Sequence, residues 1–397
     1  MDEARRGAGR LTLPAGRLLP LCGALALGAL QGCSAPADAP MRAHEMSLAI
    51  APQGPFAAWH GGTGAGSAIY IQPLAADGQP AGAPIRVNEG ERLAYEPDLI
   101  AVDSSLAVAW YERDPRDGRL SAWLAGVEPS GKGRWLVELD DGKGQARNPV
   151  VRQMGDTLHA AWIAEGDGAR PAVMHRRFSF DGAPRGEAMR VGEADADTWN
   201  LNATVSEGRL LVTYDAAGPN AADEIQLLSI SDDGAAPLQL TADDGFASLY
   251  PDLQVSDAGR AALTWFDERD GNREVYLLVT DAAALGSPAL PAPRRITHGE
   301  GETIGAYLAW NGDTIGLVWS DEVGGRRDIY GQVFSADGRP IGPAENLSMS
   351  ADRSSIPAIR PWGRGFLVAW NDYRLDDGGG HEAVTRSTAR YAILGGG

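Results

Sequence analysis

The sequence predicts an all-β fold, a seven-bladed β-propeller built from four-stranded antiparallel blades. Three observations carry this expectation: aromatic anchors at near-constant spacing, short alternating strands around each anchor, and an abundance of turn residues. The anchors close the segments Phe56-Ala-Ala-Trp59, Leu106-Ala-Val-Ala-Trp110, Leu158-His-Ala-Ala-Trp162, Leu210-Leu-Val-Thr-Tyr214, Ala262-Leu-Thr-Trp265, Ile315-Gly-Leu-Val-Trp319 and Phe366-Leu-Val-Ala-Trp370. They lie 51, 52, 52, 51, 54 and 51 residues apart, a period that belongs to propeller blades. With 51 Gly and 25 Pro among 397 residues, the chain is turn-rich, as such repeats require.

Each unit reads as four strands, A to D. Strand A is an alternating run such as Pro251-Asp-Leu-Gln-Val255, and a tight turn (Asp257-Ala-Gly259) leads into strand B, which ends on the anchor. Strand C has forms like Arg273-Glu-Val-Tyr-Leu-Leu-Val279. The C–D turns carry Asp77-Gly78, Asp181-Gly182, Asp233-Gly234 and Asp337-Gly338, and both residues of an Asp-Gly pair tolerate positive φ. Strand D is short, as in Ile85-Arg-Val-Asn88. One blade cannot bury both of its faces, so the anchors are expected between stacked neighbours. The last unit has room for only three full strands. Either residues Met41–Met46 supply its fourth, or Ala389–Leu394 forms a short strand D of its own.

The N-terminus reads as an address. Arg5, Arg6, Arg10 and Arg17 precede an uncharged run, Leu18–Leu30, too short for a membrane-spanning helix of about 20 residues but suited to a signal peptide. The following Leu30-Gln-Gly-Cys33 resembles the lipobox of bacterial lipoproteins. The resemblance implies acylation of Cys33, palmitate included, and a membrane partner reached through that lipid. Ser34 implies the outer membrane, on its periplasmic or its exposed side. The expected division is 1–32 signal peptide, 33–45 lipidated cysteine and tether, and 46–397 propeller. With Cys22 removed and Cys33 acylated, no thiol remains for a disulfide, a zinc site or a nucleophile. The 35 Lys and Arg against 53 Asp and Glu give −18, which argues against a nucleic-acid partner.

The segments Trp265-Phe-Asp-Glu-Arg-Asp-Gly-Asn-Arg-Glu-Val-Tyr276 and Trp319-Ser-Asp-Glu-Val-Gly-Gly-Arg-Arg-Asp-Ile-Tyr330 resemble the W-x-D-x-R-x-G-x-x-D-I-Y repeats of bacterial propellers in the sialidase-like and TolB-like group. That resemblance implies the fold and leaves the chemistry open.

Chemistry is expected on the face that bears the B–C and D–A loops. Two residues past the anchor stand Glu112, Asp267, Asp321 and Asp372, with Arg113, Arg269 and Arg374 beside them. Glu96, Asp98, Tyr250 and Asp252 enter from strand A. In one reading these are ties that hold loops and blades together, since a catalytic residue needs to occur only once. In the other, the arginines converge on a substrate carboxylate while a carboxylate and Tyr250 do acid–base or nucleophilic work. The sialidase S-x-D-x-G-x-x-W box is absent as such. His44, His60, His159, His175, His298 and His381 are scattered singly, so neither metal nor cofactor is expected. His60 and His381 are the histidines a polysaccharide lyase would use. Asp140-Asp141, Asp243-Asp244 and Asp376-Asp377 lack a calcium-loop pattern and read as solvated loops. The expected function is a protein- or glycan-binding scaffold, with a carbohydrate-active enzyme at the channel mouth as the alternative.

Overall fold

A computed structural model describes residues 42–395 apart from 63–65, 132, 141, 143, 167–169, 199, 233, 288 and 376–383. Cys33, the signal segment, His381 and Asp376-Asp377 lie outside the described residues. Among those described, no helix is long and apolar enough to cross a membrane.

Seven antiparallel sheets follow one another along the chain, each with its strands in sequence order. Their A strands are Arg42–Ala51, Leu93–Val102, Gln145–Met154, Asn202–Ser206, Ser248–Val255, Thr303–Asn311 and Arg353–Trp362. Each A strand packs beside the next and the last beside the first, so the seven-bladed propeller is closed around a channel lined by A strands.

The packing explains the repeat. Strand B, as in Ser105–Arg113, is buried along nearly its whole length, because its sheet is covered on both faces. Alanines such as Ala57, Ala58, Ala107 and Ala109 are fully buried there and let blades approach closely. Seven apolar clusters fill the seven inter-blade interfaces. Every anchor points at the preceding blade: Trp110 joins Phe56 and Ile71 of blade 1, and Trp265 joins Ile225 and Leu227 of blade 4. Burying a large aromatic here removes 150–250 Å² or so from water. Gly316 is a close approach of another kind, since a Cβ there would lie 2.7 Å from the Phe366 ring of blade 7.

Two boundaries differ from expectation. Strand A of blade 1 begins at Arg42, so residues 42–45 belong to the ring and not to the tether. Blade 7 has three strands among the described residues. Ala389–Leu394 is the second half of its strand C, Val384–Leu394, because Phe366–Asn371 of strand B pairs with that segment residue by residue. Residues 42–46 are likewise occupied, in strand A of blade 1, where 42–44 pair with strand B and 45–46 form the bulge. The ring therefore closes through side chains. Leu48 and Trp59 pack on Leu367 and Ala369, Trp362 Nε1 donates to Ala76 O at 2.8 Å, and Ser387 Oγ donates to Ala43 O.

Candidate functional site

The repeat motif is used up by structure. In blade 5 the Trp265 indole N–H donates to Asp267 Oδ2 at 3.0 Å, and Arg269 holds both oxygens of the same carboxylate at 2.7 and 2.6 Å. Burial pushes the Asp267 carboxyl up, but the bonds from Arg269 and Trp265 outweigh it and hold the group below its ordinary value. Tyr276 stacks on Trp265 with centroids 5.8 Å apart, and the Arg269 guanidinium lies over the Tyr276 ring at 5.2 Å. The second acid of the motif, Glu274, accepts from Thr297 Oγ1, whose oxygen also takes the Val275 N–H at 2.8 Å. This clasp fastens strand C to the chain beyond strand D. Asp328 and Ser348 repeat it in blade 6.

The other positions two past the anchor follow suit. Glu112 accepts from Trp110 Nε1 at 3.0 Å and Asn88 Nδ2 at 2.7 Å. Asp372 accepts from Trp370 Nε1, Ser354 Oγ and Arg390 Nε. Asp321 takes a bond from Thr303 Oγ1 at 3.3 Å. Arg374 turns to Asp352, its Nε 2.9 Å from Oδ1. A three-arginine clamp is therefore not assembled: Arg269 and Arg374 are committed to carboxylates, and Arg113 alone has no hydrogen bond or ion pair among the described residues.

The A-strand acids divide. Asp98 accepts the Val151 N–H of blade 3 at 2.7 Å and pairs with Arg152 at 2.6 Å. Asp252 accepts the Leu308 N–H of blade 6 at 2.8 Å. Both are blade-to-blade ties. Tyr250 gives its backbone N–H to Asp215 Oδ2 of blade 4 at 3.1 Å.

Glu96 is different. Six A strands carry a β-bulge, and at each bulge one residue takes positive φ: Glu45, Glu96, Asn148, Tyr250, Gly305 and Ile356. Five of these are not glycine, and strained backbone of this kind gathers at functional sites. In blades 1 to 3 the bulge residues meet. Tyr111 Oη donates to Glu96 Oε1 at 3.3 Å, and Asn148 lies against Oε2. His60 Nδ1 sits 3.2 Å from Glu45 Oε2 and 3.3 Å from the Glu96 N–H. One ring nitrogen cannot serve both, so its protonation decides whether it donates to Glu45 or accepts from the Glu96 backbone. His44 stacks on His60 at 5.5 Å, Tyr95 meets His60 edge-on at 5.4 Å, and Tyr95 stacks on Tyr111 at 5.3 Å.

Burial, reinforced by the nearby Glu45 carboxyl, pushes the Glu96 carboxyl well above its ordinary range, against the opposing bonds from Tyr111 and Asn148. Asn148 Nδ2 donates to Glu96 Oε2, while its Oδ1 is buried without a partner among the described residues. Burial also raises the Tyr95 phenol, against the pull of Arg113. The result is an aromatic ladder at the channel mouth, flanked by the acids Glu96 and Glu45, the Asn148 amide and the Arg113 guanidinium.

Sequence reasoning placed Glu96, Arg113 and His60 on this face and missed Glu45, Tyr95, Tyr111 and Asn148. A signal was present: Glu96-Pro97, Asn148-Pro149, Tyr250-Pro251 and Ile356-Pro357 mark bulges, where a proline without N–H costs no ladder bond. A second hollow, an open cavity of about 500 Å³, lies on the same face over blades 4 to 6 and is lined by Asn220, Phe246, Glu268, Asn272, Arg273 and Glu302 among others.

No family model matches the chain, and no curated protein does. Solved structures are similar to it. An ulvan lyase from a family of polysaccharide lyases matches with a TM-score of 0.59 at 9% identity, over 90% of this chain and 95% of that one. A puromycin-hydrolyzing peptidase of Mycobacterium tuberculosis matches at 0.54 and 13%, over 86% and 53%. An α-L-arabinanase of Penicillium chrysogenum matches at 0.51 and 14%, over 76% and 96%. At such identities the likeness is one of fold.

Proposed function

We propose that this protein is an outer-membrane lipoprotein whose propeller binds a saccharide chain at the channel mouth formed by blades 1 to 3. The ladder His44–His60–Tyr95–Tyr111 carries the reading. The half-buried rings of His44 and Tyr95, backed by the buried His60 and Tyr111, offer flat apolar faces to sugar C–H groups, and Arg113, Glu96 and Asn148 supply hydrogen bonds for hydroxyls, the usual composition of a specific small-ligand site. Carbohydrate-active propellers of similar architecture make saccharides the first class to test. The full chain in mild detergent is titrated against a panel of neutral and uronate-containing polysaccharides. One polysaccharide is expected to bind, with affinity falling at least about tenfold in Tyr95→Ala. A panel without binders, or binding unchanged in Tyr95→Ala, refutes the reading.

The anchor is tested separately. Cys33→Ala blocks lipidation, so unprocessed precursor accumulates and the membrane fraction loses the protein. Normal maturation of that variant refutes the lipoprotein assignment.

The raised Glu96 carboxyl, set beside Glu45 and His60, favours a second reading, in which the same mouth cleaves the bound chain. Glu96 then serves as proton donor, and Glu45, through His60, holds the matching base. Release of reducing or unsaturated ends from a bound polysaccharide separates cleavage from binding.

A further inference from the structure

Deeper in the channel, away from the ladder, two arginines occupy equivalent places. Arg152 and Arg360 each stand four residues past a bulge residue, Asn148 or Ile356, and each pairs with the strand-B residue three before its blade's anchor. They therefore sit at one depth, in blades 3 and 7, with two blades between them on one side and three on the other. Arg152 is provided for: it pairs with Asp98 at 2.6 Å, and its Nε donates to Ala203 O at 2.7 Å. Arg360 is not. Its one hydrogen bond among the described residues runs from Nη1 to the neighbouring Ile359 carbonyl at 2.8 Å.

The nearby acids do not make good the deficit. Asp98 is held by Arg152 and the Val151 N–H. Asp252 is held by the Leu308 N–H at 2.8 Å and by Gln254 Nε2 at 2.9 Å. Arg360 nonetheless feels Arg152, Asp98 and Asp252, and burial together with the Arg152 charge pulls its pKa down. The side chain is ringed by protein, yet the residue keeps part of its surface open. A guanidinium so placed leaves most of its five donors unused, and an enclosed charge without a partner is costly.

We propose that the channel binds a small oxyanion, a sulfate, phosphate or carboxylate group, held by the Arg360 guanidinium with Arg152 facing it. The planar fork of arginine suits two oxygens of such a group. The anion is either free in solution or an acidic substituent of a saccharide threaded through the mouth. The open donors of Arg360, with the charge of Arg152 across from it, make this a discrete site and not a diffuse positive surface, since the chain as a whole is strongly acidic.

The test is calorimetric titration of the full chain with sodium sulfate, sodium phosphate, sodium glucuronate and glucose, in a constant chloride background. Saturable binding of at least one anion is expected, with glucose silent. Arg360→Gln is expected to weaken it at least about tenfold while the circular dichroism spectrum is unchanged. If Arg360→Gln fails to fold, Arg360→Lys takes its place, keeping the charge, losing the fork and binding several-fold more weakly. Inorganic anions binding as well as glucuronate identify a free ion, and tighter glucuronate binding identifies a saccharide substituent. No saturable anion binding by the parent chain, or equal binding by the folded Arg360 variant, overturns the proposal. Tyr95→Ala is the separating control: it removes the mouth and leaves the oxyanion site intact.

Discussion

In blade 5 the Trp265 indole N–H is satisfied by Asp267, whereas in blade 1 the matching position is Gly61 and the buried Trp59 N–H has no partner among the described residues. Blade 3 shows the same loss, with Ala164 at that position and Trp162 Nε1 unpartnered among the described residues. An unpaired buried donor costs about 1–3 kcal/mol. Blades 5 and 7 thus keep the tie and spend ionisable residues on it, while in blade 6 Asp321 is held by Thr303 and the Trp319 N–H is without a partner among the described residues. The sector from blade 1 to blade 3 gives the tie up twice and gathers Glu45, His60, Glu96 and Asn148 instead. Ionisable groups in a repeat protein that are repeated are accounted for by the repeat, and those that break it need another explanation.

The largest effect expected from this contrast is at the anchors. Trp265→Ala removes a buried indole and should cost about 3–5 kcal/mol of stability, read by denaturant unfolding, without altering ligand binding at the channel mouth. Tyr95→Ala should do the reverse, costing less stability because Tyr95 is only half-buried, and abolishing binding. Equal stability losses in the two variants would erase the distinction between the regions.

A smaller effect sharpens the tie itself. Asp267 is fully buried while Arg269 keeps about a third of its side chain exposed, at 31%. Asp267→Asn should therefore cost about 2–3 kcal/mol, short of the full figure for breaking a buried pair. Arg374→Ala, in the same slot of blade 7, breaks only a pair whose arginine is 59% exposed, and should cost less than about 1 kcal/mol. A large loss for Arg374→Ala would mean that the motif acts by position and not by burial.

How much of this was legible follows from what sets each feature. The blade count and the interfaces are written in the anchors Trp59 to Trp370, because apolar periodicity reports packing directly. The role of Asp267 was within reach as one of two readings, since Trp, Asp and Arg recur together. The ladder was not, because it depends on which residues of neighbouring blades meet at a bulge. Glu45 and Asn148 are 103 residues apart in sequence, and Glu96 stands between them in the ring. Ring closure failed for a related reason: strand length was inferred from the average blade, and blade 7 spends Val384–Leu394 on one long strand C.

Acid should find a weak point in blade 3, within the first region. His159 Nδ1 lies 3.0 Å from His175 Nε2, both rings are buried, and burial, with nearby Arg177 opposing protonation and Asp232 favouring it at His159, pushes each pKa down to about 4. The unfolded chain binds these protons near 6.5 or so. Their contribution is complete above that value and is lost as pH falls toward 4, by up to about 2–3 kcal/mol for each ring. Asp215 and Glu224 work in the opposite direction. Burial raises both carboxyls to about 7, so they favour the folded state below the ordinary carboxylate range and lose that advantage as pH rises toward 7. Melting temperature from pH 4 to 7 should show both limbs. His159→Leu combined with His175→Leu should flatten the acid limb alone; an unchanged acid limb would mean that carboxylates set it.

The smallest change in stability should come from Glu96→Gln, and it discriminates most finely. If Glu96 is already protonated, the amide keeps its charge state, its shape and its partners, Tyr111 and Asn148. Stability should then move by less than about 1 kcal/mol, and saccharide binding by less than about threefold. Glu45→Gln should behave otherwise, because it removes the charge that pairs with His60 and raises Glu96. A glutamine cannot transfer a proton, so any cleavage that uses Glu96 as acid must fall by about 10²–10⁴-fold while binding survives. Binding intact with cleavage lost would make blades 1 to 3 an active site. Binding intact with no cleavage in either protein would leave them a recognition site. Binding lost in Glu96→Gln would show that binding needs the Glu96 carboxylate, and with it would fall the contrast between the raised carboxyl of Glu96 in the sector of blades 1 to 3 and the lowered, arginine-held Asp267 of blade 5.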